Sequence, residues 1–176
     1  MKKQIKEKGQ KSVSSSPRSD CNRYRSVHRR RASNLGCVIS NPEIFAINAF
    51  TYDDFEKIDL ARKGLSYTII ETLSKALGQP IKTVLDLLGI AQTTYNTNKK
   101  KESNLSSSSS ELVILIIDLI NFGIEVFNNE NEKFLLWLNT SNVMLRNNTP
   151  LSLLDTTIGV NEVKLCLDRI EYGNFA

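Results

Sequence analysis

Asp155 and Glu171, near the end of the chain, are the pair that residue type and spacing first nominate for chemistry, as a general acid and a general base. Each has a plainer explanation. Asp155 stands at a helix start, where a carboxylate caps free amides and opposes the helix dipole; Glu171 reads as a charge facing solvent or a partner. The rest of the catalytic inventory is thin. His28 is the only histidine, and Cys21, Cys37 and Cys166 lie far apart without a C-x-x-C pair. No glycine-rich phosphate loop is present, and no serine or cysteine has a base partner at a recognisable spacing. The expectation is a binding protein, with no catalytic residue, no cofactor and no metal.

Two stretches have the residue types for binding. In the first, Pro80 opens a helix with an apolar stripe of Ile81, Val84, Leu85 and Leu88, Gly89 closes it, and a polar segment runs from Gln92 to Lys101. Helix, glycine turn and second helix make a helix-turn-helix, with Val84, Leu88, Ile90 and Tyr95 as its internal contacts. Gln92, Thr93, Thr94, Asn96, Thr97 and Asn98 would then face base edges and phosphates, with Lys99, Lys100 and Lys101 near the DNA backbone. The other reading is a three-helix head that serves structure alone.

The second stretch closes the chain. Thr149 followed by Pro150 starts a short turn with Leu151, Leu153 and Leu154 on its apolar face; Asp155, Thr156 and Thr157 then offer new capping oxygens. Val160, Val163, Leu167 and Ile170 recur at helical spacing until Gly173 stops the pattern. Beyond Gly173, Phe175 stands one residue from the end, where it is either received by a partner or folds back on its own core.

The elements that must position these stretches read as helices throughout. Ile44 to Asp59 forms a mixed lead-in whose Phe45, Phe50, Tyr52 and Phe55 can cover a core edge. Leu65, Ile69, Leu73 and Leu77 predict a helix between Gly64 and Gly78. Asn104 and Ser106 to Ser110 read as a low-complexity hinge, with the next helix opening at Leu105-Ser106 or at Ser110-Glu111. The apolar run from Leu112 to Phe127, about 24 Å of helix, is interrupted by Asp118, Asn121 and Glu125, so it fits a bundle centre and spans no bilayer. A short helix around Phe134, Leu135, Trp137 and Leu138 follows, with Trp137 assigned to the scaffold. The fold class is therefore all-α: a disordered basic tail over residues 1–42, a helix-turn-helix-like DNA-binding and dimerisation domain over 43–110, and a small helical domain over 111–176.

Charge separates the tail from the rest. Of 23 Lys and Arg, 11 fall in residues 1–36 against only Glu7 and Asp20, which leaves 12 bases and 17 acids for the remainder. The net charge of +4 thus comes from the tail, and the folded part is not a broad basic surface. The tail reads as a solvated leader or as an arm that neutralises DNA phosphates. No apolar stretch precedes Cys37 or accompanies Arg29-Arg30-Arg31, so no export signal is expected and the cytoplasm is the expected compartment.

From about Gly64 to Ala176 the chain resembles the Xre/MbcA/ParS family of antitoxins, the DNA-binding partners of RES-domain toxins. The matching residues are Glu132-Lys133 with Trp137-Leu138, Thr149-Pro150-Leu151 with Leu154-Asp155-Thr156, Gly159, Glu162-Val163, and Arg169-Ile170-Glu171-Tyr172-Gly173 with Phe175-Ala176. Departures are Ser141 where the family usually has proline, Arg146-Asn147 where a paired glycine is typical, and Asn96-Thr97-Asn98 where arginine is usual. The resemblance implies a helical toxin-binding domain that docks on an NAD-consuming RES toxin, its tip of Arg169, Glu171, Tyr172, Gly173, Phe175 and Ala176 blocking the NAD cleft. It also implies a homodimer on operator DNA that represses its own operon. Two alternatives stand beside it: a helix-turn-helix transcription regulator with no toxin partner, and a nucleic-acid-coating protein acting through the basic arm.

Overall fold

Asp53 begins the described part of the chain, residues 53–173 of the computed structural model. Its carboxylate accepts from the Asp54 amide at 2.8 Å while Glu56 reaches back to the Asp53 amide at 3.0 Å, a capping box that starts α1, Asp54–Lys63. The basic tail over 1–42, the lead-in residues Phe45, Phe50 and Tyr52, and the tip residues Phe175 and Ala176 lie outside the described residues. Phe55 does not cover a core edge: it is 70% exposed, because α1 turns Leu60 and Ala61 inward instead.

After α1 come α2 (Ile69–Ala76), α3 (Ile81–Leu87), α4 (Gln92–Lys100), α5 (Ser107–Val126), α6 (Asn131–Asn139), two 3-10 turns (Val143–Leu145 and Pro150–Leu153) and α7 (Thr157–Tyr172). Among the described residues there are seven α-helices and no strand, as the all-α reading requires. All of them belong to one compact unit, with a continuous apolar core from Leu65 to Leu167.

The expected helix from Gly64 begins later, at Ile69. Leu65 and Ser66 are held extended: the Leu105 amide donates to the Leu65 carbonyl at 2.7 Å, and Ser66 bridges to Asn104. Gly64 allows this approach with φ of 84°; a Cβ there would lie 3.0 Å from that of Asn104 and against the Leu105 carbonyl.

The serine run is the start of α5 and no hinge. Ser106 accepts from the Ser109 amide at 3.1 Å as N-cap, and Ser110, fully buried, accepts from the Leu65 amide at 3.0 Å. From there Val113, Ile116, Ile117, Leu119 and Ile120 are almost wholly inaccessible, and each such side chain contributes about 1.5–3 kcal/mol by leaving water. Glu111 and Glu125 stay exposed; Asp118, between them, takes a 2.8 Å ion pair from Lys57 of α1. So α5 is the bundle centre, packed by α1 and α7. Beside it α6 buries Phe134 and Leu138, and Trp137 is half-buried, its ring stacked on Phe134 at 6.3 Å and tilted against Phe127 at 5.9 Å. That is the scaffold role expected of it.

Candidate partner-binding and DNA-facing helices

Thr149 starts the closing stretch by accepting from the Ser152 amide at 3.3 Å, and Pro150 occupies the first position of the 3-10 turn. Thr156 then accepts from the Gly159 amide at 3.1 Å and starts α7. The cap is thus Thr156 and the helix begins beyond Asp155, which has no place in an acid–base pair with a residue at the far end of the same helix. Val160, Val163, Cys166 and Leu167 are buried on the inner face, and Gly173 ends the helix at φ of 65°. Burial pushes the Cys166 thiol above its usual range, and the Asn142 side-chain amide donates to its sulfur at 3.4 Å. A protonated, enclosed thiol is a core group and not a nucleophile.

The outer face of α7 mixes polar side chains with three large apolar ones. Ile158, Leu165 and Tyr172 recur every seven residues and are 75%, 46% and 59% exposed. Two heptads keep them within one stripe about 21 Å long. Glu162 and Arg169, also exposed, lie between them on the same face. The expected tip residues Arg169, Glu171, Tyr172 and Gly173 are all exposed at the carboxy-terminal end of α7, but they do not share one face. At about 100° per residue, Glu171 points away from the stripe that Arg169 and Tyr172 occupy. Sequence reasoning passed over Ile158 and Leu165. Their signal was present: they are the apolar residues of α7 that the Val160, Val163, Leu167, Ile170 stripe leaves over.

The helix-turn-helix is formed by α3 and α4. Gly89, at φ of 63°, makes the turn, the Ile90 amide donates to the Leu85 carbonyl at 2.9 Å, and Ala91 is extended before α4 begins. Val84, Leu88 and Tyr95 are buried and Ile90 packs against them, as expected. Tyr95 is the residue of α4 that enters the core, and its hydroxyl donates to Glu71 of α2 at 3.3 Å.

Around Tyr95 the inner flanks of α4 are tied down. The Asn98 amide donates to the Tyr67 hydroxyl at 2.9 Å, and the Lys99 ammonium pairs with Glu71. The Lys99 hydrogen bond holds Glu71 below the usual carboxylate range, while the same bond raises Lys99; burial raises Tyr95. Asn98 and Lys99 therefore tie α4 to Tyr67 and to Glu71 of α2. Gln92, Thr93, Asn96 and Thr97 are exposed together on the outward face, with Lys100 at its end and Thr94 on a flank. Among the described residues no group of His, Cys, Asp and Glu is placed to hold a metal ion, and no helix is long and apolar enough to cross a membrane.

The described residues thus hold two candidate surfaces, the outward face of α4 in the helix-turn-helix and the exposed stripe of α7. Comparison with known proteins gives them a context. Residues 123–173 match the antitoxin Xre/MbcA/ParS C-terminal toxin-binding domain. The chain is also 23% identical over 119 residues to the antitoxin Xre of Yersinia enterocolitica, which spans 68% of this chain and 80% of that protein. It is 23% identical over 114 residues to the antitoxin Xre of Photorhabdus laumondii, across 65% of this chain and 77% of that one. Together these matches support an Xre/MbcA/ParS-type antitoxin.

Proposed function

We propose that the chain is the antitoxin of a type II system that binds a RES-domain toxin and sterically blocks its NAD-consuming site, and that it represses its own operon as a homodimer on operator DNA. Residues 111–176 would carry toxin binding and residues 43–110 DNA binding and dimerisation, in the cytoplasm. The observation that carries the reading is that α7, inside the matched toxin-binding segment, keeps its outward stripe in solvent while its inner stripe is packed on α5. Tyr172 is the anchor that an interface core favours, and Arg169 beside it offers a planar donor for a carboxylate or phosphate.

Co-expression with the product of the adjacent gene tests it, reading growth, cellular NAD and co-purification. The full chain is expected to rescue growth and preserve NAD; a form ending at Asp168, and the full-length double variant Arg169→Glu, Tyr172→Ala, are expected to do neither. A neighbour that is harmless alone, or that no form binds, removes the toxin partner and leaves the helix-turn-helix regulator.

A further inference from the structure

The DNA arm of the proposed function leaves open which bases are read, and the outward face of α4 carries a specific answer. A helix in the major groove meets base edges with its exposed side chains, which here are Gln92, Thr93, Asn96 and Thr97. Guanine offers two acceptors, O6 and N7, and is read by the paired donors of arginine or by lysine. Helix α4 contains no arginine, Lys99 is committed to Glu71, and Lys100 stands at the last position of the helix. Adenine offers an acceptor at N7 beside a donor at N6, the pattern that a side-chain amide complements.

We propose that α4 reads an A·T pair through Asn96, with Gln92 as the positioning residue. The Gln92 amide donates to Asn96 Oδ1 at 3.3 Å, one turn along the same face. That bond orients the Asn96 amide, leaving the second lone pair of Oδ1 for adenine N6 and the Nδ2 hydrogens for N7. Opposite guanine the same Oδ1 meets the O6 acceptor, so the arrangement rejects G·C as well as accepting A·T. Thr93 and Thr97, exposed one turn apart on the adjoining side, are residues whose methyl groups can contact the C5-methyl of thymine.

The test uses the full chain and a library of duplexes randomised at the centre, followed by anisotropy titration of the selected duplex. Selection is expected to return A·T at the position Asn96 reads. Exchange of that pair for G·C should weaken binding about 5- to 100-fold, and 7-deazaadenine, which lacks the N7 acceptor, should weaken it in the same direction. Asn96→Ala should bind the A·T and G·C duplexes within about twofold of each other. Gln92→Ala should bring the ratio of A·T to G·C affinity towards unity, whereas a merely structural role would lower both affinities by the same factor. Discrimination retained by Asn96→Ala, an enriched G·C pair, or indifference to 7-deazaadenine overturns the assignment while DNA binding stands. Enrichment of no sequence at all overturns the DNA arm together with it, and leaves toxin binding untouched.

Discussion

Gly159 and Leu153 meet backbone to backbone: a Cβ on Gly159 would collide with the Leu153 carbonyl oxygen and lie 2.9 Å from its carbon. The 3-10 turn before α7 is therefore seated directly on the first turn of α7. Gly159→Ala is expected to cost about 2–3 kcal/mol, since backbone cannot give way as a side chain does. Gly123→Ala is the comparison: its Cβ would press on the Phe134 ring, with Cζ at 2.6 Å, in a site that is buried but made of a movable side chain. Urea denaturation should rank Gly159→Ala as at least equally destabilising, despite alanine's helix propensity at both places.

Arg146 and Asn147 are both left-handed, with φ of 56° and 63°. Both adopt a conformation open to glycine at no steric cost, with side chains that tolerate it less well. Left-handed backbone costs an ordinary L-residue about 1–2 kcal/mol, which the greater chain entropy of glycine partly offsets. Arg146→Gly is expected to raise stability by about 0.5–1 kcal/mol, and Arg146→Val, branched at Cβ, to lower it by more than about 1 kcal/mol. Equal midpoints for the two variants in denaturant would contradict this.

Most of the helices were legible because their ends are local. Pro80 and Gly89, Thr149-Pro150, Thr156 and Gly173 act within their own turn, and the structure uses each where the sequence places it. What could not be read depends on partners far along the chain. Ser110 reads as linker by composition and becomes core because Leu65, 45 residues earlier, donates its amide to it. Leu65 itself has helical spacing with Ile69, yet its carbonyl is taken by Leu105. On the candidate faces, Asn98 and Lys99 have the right types for DNA, and only the positions of Tyr67 and Glu71 far back in the chain reveal the hydrogen bond and ion pair they also make.

The Glu71–Lys99 pair gives a pH dependence with a definite sign. The folded carboxyl of Glu71 titrates below its ordinary value of 4.5, so its contribution is fully present above that value and is lost as pH falls through the lowered one. Lys99 is raised above 10.5, so its contribution is fully present below that value and is lost as pH rises through the raised one. The pair is half-exposed, which keeps the effect small. The stability difference between wild type and Glu71→Gln should be constant from about pH 6 to 9 and shrink on acidification below about pH 4. A difference that grows on acidification would have the wrong sign for this pairing.

The stripe on α7 separates binding from folding. Ile158, Leu165 and Tyr172 spend their exposed surface on nothing within the described core, so Leu165→Glu and Tyr172→Ala should leave stability within about 0.5 kcal/mol of wild type. If the stripe receives the toxin, the same changes remove apolar anchors from the interface, and each should weaken the complex by about 2 kcal/mol, near thirtyfold. Glu171→Ala is the internal control, because Glu171 lies off the stripe and should cost much less. Calorimetric titration of the co-purified toxin with each variant measures this directly. Losses concentrated at Glu171, with Leu165→Glu neutral, would show that the tip binds without the stripe, since a helix docked along its length must desolvate Leu165 before it can seat Tyr172.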